Sequence, residues 1–205
     1  MSIYSRKSLQ TFIDDLAAKK PVPGGGSAAA GVAAIAVALG SMAARFTVGN
    51  PKYKSVNKSV AALLAENERL RKQCLRLIDE DITAYAALNK ALCLPKEDAR
   101  RARLLQRNLV KAAAVPYELC VVCGKAMKLC GQLAKKGNVN LLTDAGCSAV
   151  LLESAFESAA LNVRINLKHI KNKRFADNKR KALRKISGAI AAQKKDIINC
   201  VEKVL

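Results

Sequence analysis

The sequence is poor in aromatic residues, in acids and in histidine, and each shortage narrows the classes of fold and site. Aromatic side chains make up 4% of the 205 residues and tryptophan is absent, while alanine, leucine, lysine and arginine dominate. That composition favours helices over sheets. The single histidine, His169, excludes a multi-histidine metal site and a histidine-based relay, and no Gly-x-Ser-x-Gly motif is present.

Disulfides are not expected either. The seven cysteines, at positions 74, 93, 120, 123, 130, 147 and 200, are odd in number and scattered through helix-like segments. Cys120 and Cys123 form a lone C-x-x-C motif, without the second ligand pair that a structural zinc site needs. We therefore interpret the cysteines as small buried hydrophobes of a protein in a reducing cytoplasm, and we predict no metal site. No secretory signal is expected, because residues 1–7 lead into an amphipathic helix.

Long apolar runs are also scarce. The longest, Ala28–Ala44, is short for a membrane span and rich in alanine and glycine, so we interpret it as a buried central helix. Helical periodicity and helix-breaking residues predict six helical regions, with Pro116 kinking or dividing the fourth. These regions are residues 8–19, 27–46, 55–92, 97–133, 143–169 and 176–204. The expected fold is all-α: one domain over residues 1–205, a bundle of long helices ending in a basic C-terminal helix.

Three consecutive glycines are the most informative feature that is present. Gly24, Gly25 and Gly26 follow Pro21-Val-Pro23 and precede Ser27, a good helix N-cap. The run is explained either by a tight turn before a close-packed helix or by a loop whose N–H groups face an anion or polar ligand. It fits neither a P-loop nor a dinucleotide-binding fingerprint.

A few polar residues stand in apolar surroundings. Asp79 and Glu80 can face solvent, but Asp81 falls on the apolar face of its helix. A carboxylate there is either a satisfied buried group or, with a pKa raised by desolvation, a general acid/base. Asn162 and Asn166, four residues apart, share one helix face. They can hydrogen-bond a heterocycle or tie helices together.

The net charge of +20 is concentrated towards the C-terminus, where residues 164–205 hold 13 Lys and Arg against three acids. Such a charge attracts polyanions, either nucleic acid or an anionic small molecule. A solvated helix face is the alternative explanation.

Several short motifs, in order, resemble the formiminotetrahydrofolate cyclodeaminase and methenyltetrahydrofolate cyclohydrolase family. The matching pieces span roughly residues 5–170, and the basic last 35 residues match less clearly. They are Pro21-x-Pro-Gly-Gly-Gly-Ser-Ala-Ala-Ala30, Phe46-Thr-Val-Gly with Lys52-Tyr53, Asp81-Ile-Thr-Ala-Tyr85 with Leu94-Pro-Lys96, Ala114-Val-Pro-Tyr117, Asn140-Leu-Leu-Thr-Asp144 and Asn162-Val-Arg-Ile-Asn-Leu167.

The resemblance implies a small all-α enzyme of one-carbon tetrahydrofolate metabolism, commonly a homodimer and without metal or redox cofactor. Two reactions are possible. Cyclodeamination closes 5-formiminotetrahydrofolate to 5,10-methenyltetrahydrofolate with release of ammonia, and cyclohydrolysis opens the methenyl compound to 10-formyltetrahydrofolate. A non-enzymatic basic protein that binds nucleic acid or an acidic partner is the competing class. It leaves Gly24–Gly26 and Asp81 without a purpose, and aromatic residues for base stacking are few.

The resemblance also suggests roles for individual residues. Asp81 is the predicted catalytic acid/base. Gly24, Gly25, Gly26 and Ser27 would line the folate pocket. Asp144, or the face of Asn162 and Asn166, would bind the pterin ring, and Lys54 and Lys96 would hold a glutamate tail, which is often polyglutamylated.

Overall fold

Six α-helices make up most of the protein, whose structure, a computed structural model, describes residues 3–205. No strand occurs within that range. The helices are α1 Leu9–Ala17, α2 Gly25–Arg45, α3 Asn57–Leu92, α4 Arg101–Lys136, α5 Leu142–Lys168 and α6 Lys173–Glu202. Short 3-10 turns at Tyr4–Arg6, Pro51–Val56 and Val139–Leu141 precede α1, α3 and α5. The all-α fold of long helices and the six predicted regions are confirmed, with boundaries displaced by a few residues.

The long helices α2 to α5 pack antiparallel around one core. Asn67 of α3 donates its amide to the Val37 carbonyl of α2 at 3.1 Å, and Ser148 of α5 donates to the Ala36 carbonyl at 2.7 Å. These pairs place the middle of α2 between α3 and α5. Helix α6 lies across α4 and α5.

Helix α2 is central because its side chains are small. Twelve of its residues, mostly alanine, are buried, so neighbouring helices approach its backbone closely. At Gly40, for example, a Cβ would lie 2.7 Å from the Asn67 amide nitrogen. By length and composition α2 could also cross a membrane, but most of it is buried within the bundle, as expected for the core helix of a folded domain.

Pro116 does not divide α4, which runs unbroken from Arg101 to Lys136. A proline has no N–H, so the carbonyl four residues earlier, that of Ala112, loses its helical donor. Asn166 of α5 donates its side-chain amide to that carbonyl at 3.1 Å. A hydrogen bond from a neighbouring helix thus satisfies the carbonyl that the proline leaves free.

Two expectations about individual side chains need correction. Asp79 does not simply face solvent: its half-buried carboxylate accepts bonds from the Tyr4 N–H at 2.6 Å and from the Ser5 hydroxyl at 2.6 Å. It therefore fastens the N-terminal segment to α3. All seven cysteines are free, and Cys74, Cys120, Cys123 and Cys130 are buried as predicted, but Cys93 and Cys147 are exposed.

Candidate active site

The glycine run forms the tip of α2 and lies between Asp81 and Asn162. A Cβ built on Gly26 would overlap the Asp81 carboxyl group, 2.6 Å from its Cγ. A Cβ on Gly25 would lie 3.3 Å from the Asn162 amide nitrogen. The glycines at 25 and 26 are therefore explained by the close approach of two polar side chains, one from α3 and one from α5. We call this end of the bundle the glycine end.

Ser27 is not the N-cap of α2, as the sequence suggested. The helix begins two residues earlier, with Gly24 as N-cap, and Ser27 is fully buried in the first turn. Its hydroxyl accepts the Gly24 N–H at 3.0 Å and lies 3.1 Å from the Gly24 carbonyl. Its backbone N–H and hydroxyl also lie within hydrogen-bonding reach of the Asp81 carboxylate. Ser27 thus positions the carboxylate rather than lining an open pocket.

The environment of Asp81 acts on its pKa in two opposed directions. Desolvation by the surrounding helices is the larger effect and raises the pKa above the usual carboxyl value, while the hydrogen bonds from Ser27 lower it. The side chain is half-buried, so it still reaches solvent or a ligand. A carboxyl group of raised pKa in such a place can both accept and return a proton.

The two asparagines differ in what they can offer a ligand. Asn166 uses both amide hydrogens within the protein, donating to the Ala112 carbonyl and, at 2.8 Å, to the Asn162 carbonyl. Only its side-chain oxygen remains for another partner. Asn162 donates one amide hydrogen to the Ser158 carbonyl at 2.9 Å, which leaves its second hydrogen and its oxygen beside the glycines.

Lys54 and Asp144 do not lie at the glycine end of the same chain. Lys54 precedes α3, and the 24 residues from Asn57 to Asp81 span about 36 Å at 1.5 Å per residue. Asp144 is in the first turn of α5, about 27 Å along that helix from Asn162. Both belong to the opposite end of the bundle, where Tyr53 bonds Asn138 and Val139.

Lys96 lies beyond the glycine end, in the turn between α3 and α4. The end of α3 at Leu92 is about 16 Å from Asp81 along the helix. Lys96, Arg101 and Lys171 line one cavity of about 450 Å³ there. Several more exposed cations surround it, so this end carries a basic surface. They are Arg100, Arg103, Arg107, Lys168, Lys173 and Arg174.

One aromatic residue at the site had no role assigned from the sequence. Tyr85 follows Asp81 by four residues on α3, so the two side chains share a helix face. The Tyr85 side chain is 41% exposed although the protein has few aromatic residues. The i, i+4 spacing of Asp81 and Tyr85 in the sequence is the pattern from which the shared helix face could have been predicted.

Comparisons with known proteins agree with this arrangement. The sequence model of a family described as formiminotransferase-cyclodeaminase matches residues 8–185. The chain belongs to the formiminotransferase-cyclodeaminase family. It is 38% identical to a methenyltetrahydrofolate cyclohydrolase of Methylorubrum extorquens over 181 residues, which cover 86% of this chain and 87% of that protein.

Longer proteins of the family contain a comparable region. The formimidoyltransferase-cyclodeaminase of Mus musculus is 35% identical over 174 residues, which cover 83% of this chain but 32% of that protein. Among solved structures, a formiminotetrahydrofolate cyclodeaminase of Thermotoga maritima superposes with a TM-score of 0.91 at 30% identity, covering 97% of this chain and 98% of that one. The bundle described above is thus a fold of the formiminotransferase-cyclodeaminase family.

Replacing Asp81 by asparagine separates a structural from a catalytic role. We expect Asp81→Asn to lose turnover by about 100-fold or more, because an amide cannot exchange the proton. Its free energy of unfolding at pH 7 should stay within about 1 kcal/mol of the wild-type value or rise slightly. The pKa of this carboxyl group is raised in the folded state, so the folded protein favours the protonated form and loses stability as the pH rises. An amide side chain carries no charge and therefore avoids this loss of stability.

Asp177→Asn, at an exposed site on α6, is the matched control and should leave both quantities unchanged. Denaturant unfolding and steady-state kinetics provide the measurements. A variant Asp81→Asn that turns over normally but unfolds several kcal/mol more easily would identify Asp81 as a purely structural group.

Proposed function

We propose that this protein converts 5-formiminotetrahydrofolate to 5,10-methenyltetrahydrofolate and releases ammonia, with Asp81 as the acid/base. The observation that carries the proposal is the desolvated Asp81 carboxyl group, held against the glycine tip of α2 and beside the free hydrogen-bonding groups of Asn162. The family relationship supplies the substrate class.

In the proposed reaction, N10 of the folate attacks the formimino carbon and forms the second C–N bond of a five-membered ring. Asp81 takes the proton from N10 and then delivers a proton to the amine of the tetrahedral intermediate. The C–N bond to that amine breaks and ammonia leaves. One carboxyl group of raised pKa suits both transfers, and such acid–base assistance contributes on the order of 10²–10⁴-fold. No oxidation or reduction occurs and Asp81 carries out the proton transfers, so we propose that neither metal nor redox cofactor takes part.

Cyclohydrolysis is the second candidate, favoured by the 38% identity to a cyclohydrolase of similar length. Here Asp81 would take a proton from water as it adds to the methenyl carbon. It would then return the proton to N5 as the C–N5 bond breaks. Both reactions share the tetrahedral carbon between N5 and N10, so the same carboxyl position serves either.

Two parallel assays distinguish the candidates by the absorbance of methenyltetrahydrofolate. In the first, wild-type protein and Asp81→Asn receive 5-formiminotetrahydrofolate, and ammonia is recorded as well. In the second they receive methenyltetrahydrofolate, and the uncatalysed hydrolysis is subtracted. We expect an Asp81-dependent rise with equimolar ammonia in the first assay. Decay in the second assay alone would establish the cyclohydrolase, and inactivity in both would contradict an enzymatic function and favour the basic binding protein.

We propose that the basic surface beyond the glycine end attracts the glutamate tail of the substrate. Lys96 follows the end of α3 that lies about 16 Å from Asp81 along the helix, whereas Lys54 of the same chain precedes the other end, about 36 Å away. A triglutamate substrate should then have a lower KM than the monoglutamate, and the difference should shrink as salt is raised. Lys96→Gln should reduce that preference, and an equal KM for both tail lengths at low salt would contradict the role.

We further propose that the protein is a homodimer in the cytoplasm, paired through an uncharged face of α2 and α5. This α2–α5 face comprises Ile35, Ala38, Cys147, Val150, Leu161 and Ile165, all exposed. In a chain of net charge +20, two copies repel each other unless the paired surfaces lack cations, and this face has none among those residues. Large exposed apolar side chains on such a face are typical of an interface.

We propose that the two-fold axis is perpendicular to the helices, which sets the helices of the two copies antiparallel. It would bring the opposite end of one copy, with Lys54 and Asp144, towards the glycine end of the other. That arrangement would explain why Lys54 and Asp81, about 36 Å apart along one chain, could both contribute to one site. The folate site would then be shared between subunits.

Charge introduced into the α2–α5 face tests the dimer. Leu161 is 62% exposed, and we expect Leu161→Glu to sediment as a monomer with reduced activity, because the glutamate would be buried without a partner. The control is Val110→Glu, at a 37% exposed valine on α4, which should stay dimeric and active. A wild-type protein that is monomeric and fully active in sedimentation velocity would contradict the shared site.

A further inference from the structure

An apolar cavity lies under the N-terminal helix, next to the proposed reaction centre. It has a volume of about 410 Å³, within the range of small-molecule sites. Helix α1 roofs it, and α2 and α3 form its floor. The apolar side chains that line it most directly are Leu9, Phe12 and Leu16 from the roof and Val32, Leu75 and Ile78 from the floor.

The roof is only lightly attached to the bundle. No residue of α1 is buried, and the apolar residues Leu9 and Ile13 expose more than half of their side chains. Tyr4 and Ser5 bond Asp79, and Tyr4 and Phe12 pack against the core. The apolar space between α1 and the bundle is open to solvent, so a ligand that occupies it would gain apolar contacts that the protein does not make itself.

The cavity begins one helical turn from Asp81. Ile78 on its floor precedes Asp81 by three residues on the same face of α3, a rise of about 4.5 Å. Ala28, also on the floor, directly follows Ser27, which hydrogen-bonds Asp81. A group attached to the atom that reacts at Asp81 could therefore reach the cavity.

The rim of the cavity is polar. Ser5, Lys7 and Ser8 line its edge, and the Lys7 ammonium lies 3.9 Å from the centre of the Tyr4 ring. Lys7 also pairs with Asp15 at 3.4 Å. The cavity thus combines an apolar interior with a polar mouth, which suits a benzene ring that carries polar substituents.

We infer that this cavity binds the aminobenzoyl ring attached to N10 of the folate. The inference rests on the proposed function, because the folate places that ring one bond from N10. The pterin would remain on the other side of Asp81, beside Asn162 and Tyr85. Helix α1 would close over the ring, which adds a binding role for a segment distant in sequence from Asp81.

Gly31 offers a substitution that fills the cavity without disturbing the backbone. A Cβ at Gly31 would lie 3.9 Å from Phe12 Cε1, an ordinary contact, and the rest of a leucine would extend into the cavity. Gly188 provides the matched control, since it is helical in α6 and a Cβ there meets nothing within 4 Å. Unfolding curves of Gly31→Leu and Gly188→Leu establish that both variants fold.

The first measurement uses p-aminobenzoylglutamate, a fragment without the pterin, and follows its binding by ligand-observed NMR. We expect binding to wild-type protein and Gly188→Leu, and about tenfold weaker binding or none to Gly31→Leu. A pterin lacking the aminobenzoyl group should bind all three proteins alike. In turnover, Gly31→Leu should raise KM about tenfold while kcat changes about twofold or less.

The outcomes separate this inference from the proposed function. Turnover by wild-type protein with an unchanged KM in Gly31→Leu would overturn the aryl site and leave the enzyme assignment intact. Fragment binding that Gly31→Leu abolishes, in a protein without either folate activity, would support the site while the proposed reactions fail. A Gly31→Leu variant that shifts the monomer–dimer equilibrium and leaves fragment binding unchanged would assign the cavity to a second copy and contradict the inference.

Discussion

The contact between the Asp81 carboxyl group and the tip of α2 is the constraint on which the rest of the site depends. The first turn of a helix has N–H groups without partners inside the helix, and a carboxylate is a natural acceptor for them. Here the N–H and the hydroxyl of Ser27 lie within hydrogen-bonding reach of the carboxylate. The approach is so close that position 26 has no space for a side chain. A carboxylate that only capped the helix would have a lowered pKa, but burial by α3 and its neighbours reverses the direction.

Packing elsewhere supports this contact. Alanine-rich α2 lets α3 and α5 approach closely enough for Asp81 and Asn162 to meet across its tip. Asn166 holds α5 to α4 through the carbonyl that Pro116 leaves without a donor. The small residues of α2, the proline and the asparagine look unrelated along the chain. Together they fix the spacing of three helices around one carboxyl group. Because α3, α4 and α5 extend past the start of α2, the tip is flanked by helices and accessible to a ligand.

The parts of this arrangement that depend on local pattern could be predicted from the sequence. Periodicity and breakers predicted six helices, and the placement of Asp81 on an apolar face predicted its desolvation. Pairings between distant residues could not be predicted in this way. That Asn166 compensates for Pro116, or that Asp79 fastens the N-terminal segment, depends on helix register across the bundle. Lys54 and Asp144 were grouped with Asp81 by family motifs, which carry no information on which end of a helix, or which subunit, a residue occupies.

The most direct test of the account is the titration of Asp81 itself, followed by carboxyl ¹³C NMR and assigned by its loss in Asp81→Asn. The account predicts an apparent pKa above the ordinary carboxyl value of 3.8 in wild-type protein, because desolvation outweighs the bonds from Ser27. It predicts a further rise in Ser27→Ala, which removes a hydroxyl donor to the charged form. A pKa at or below the ordinary value, unchanged by Ser27→Ala, would contradict the central claim that this carboxyl group is poised for proton transfer.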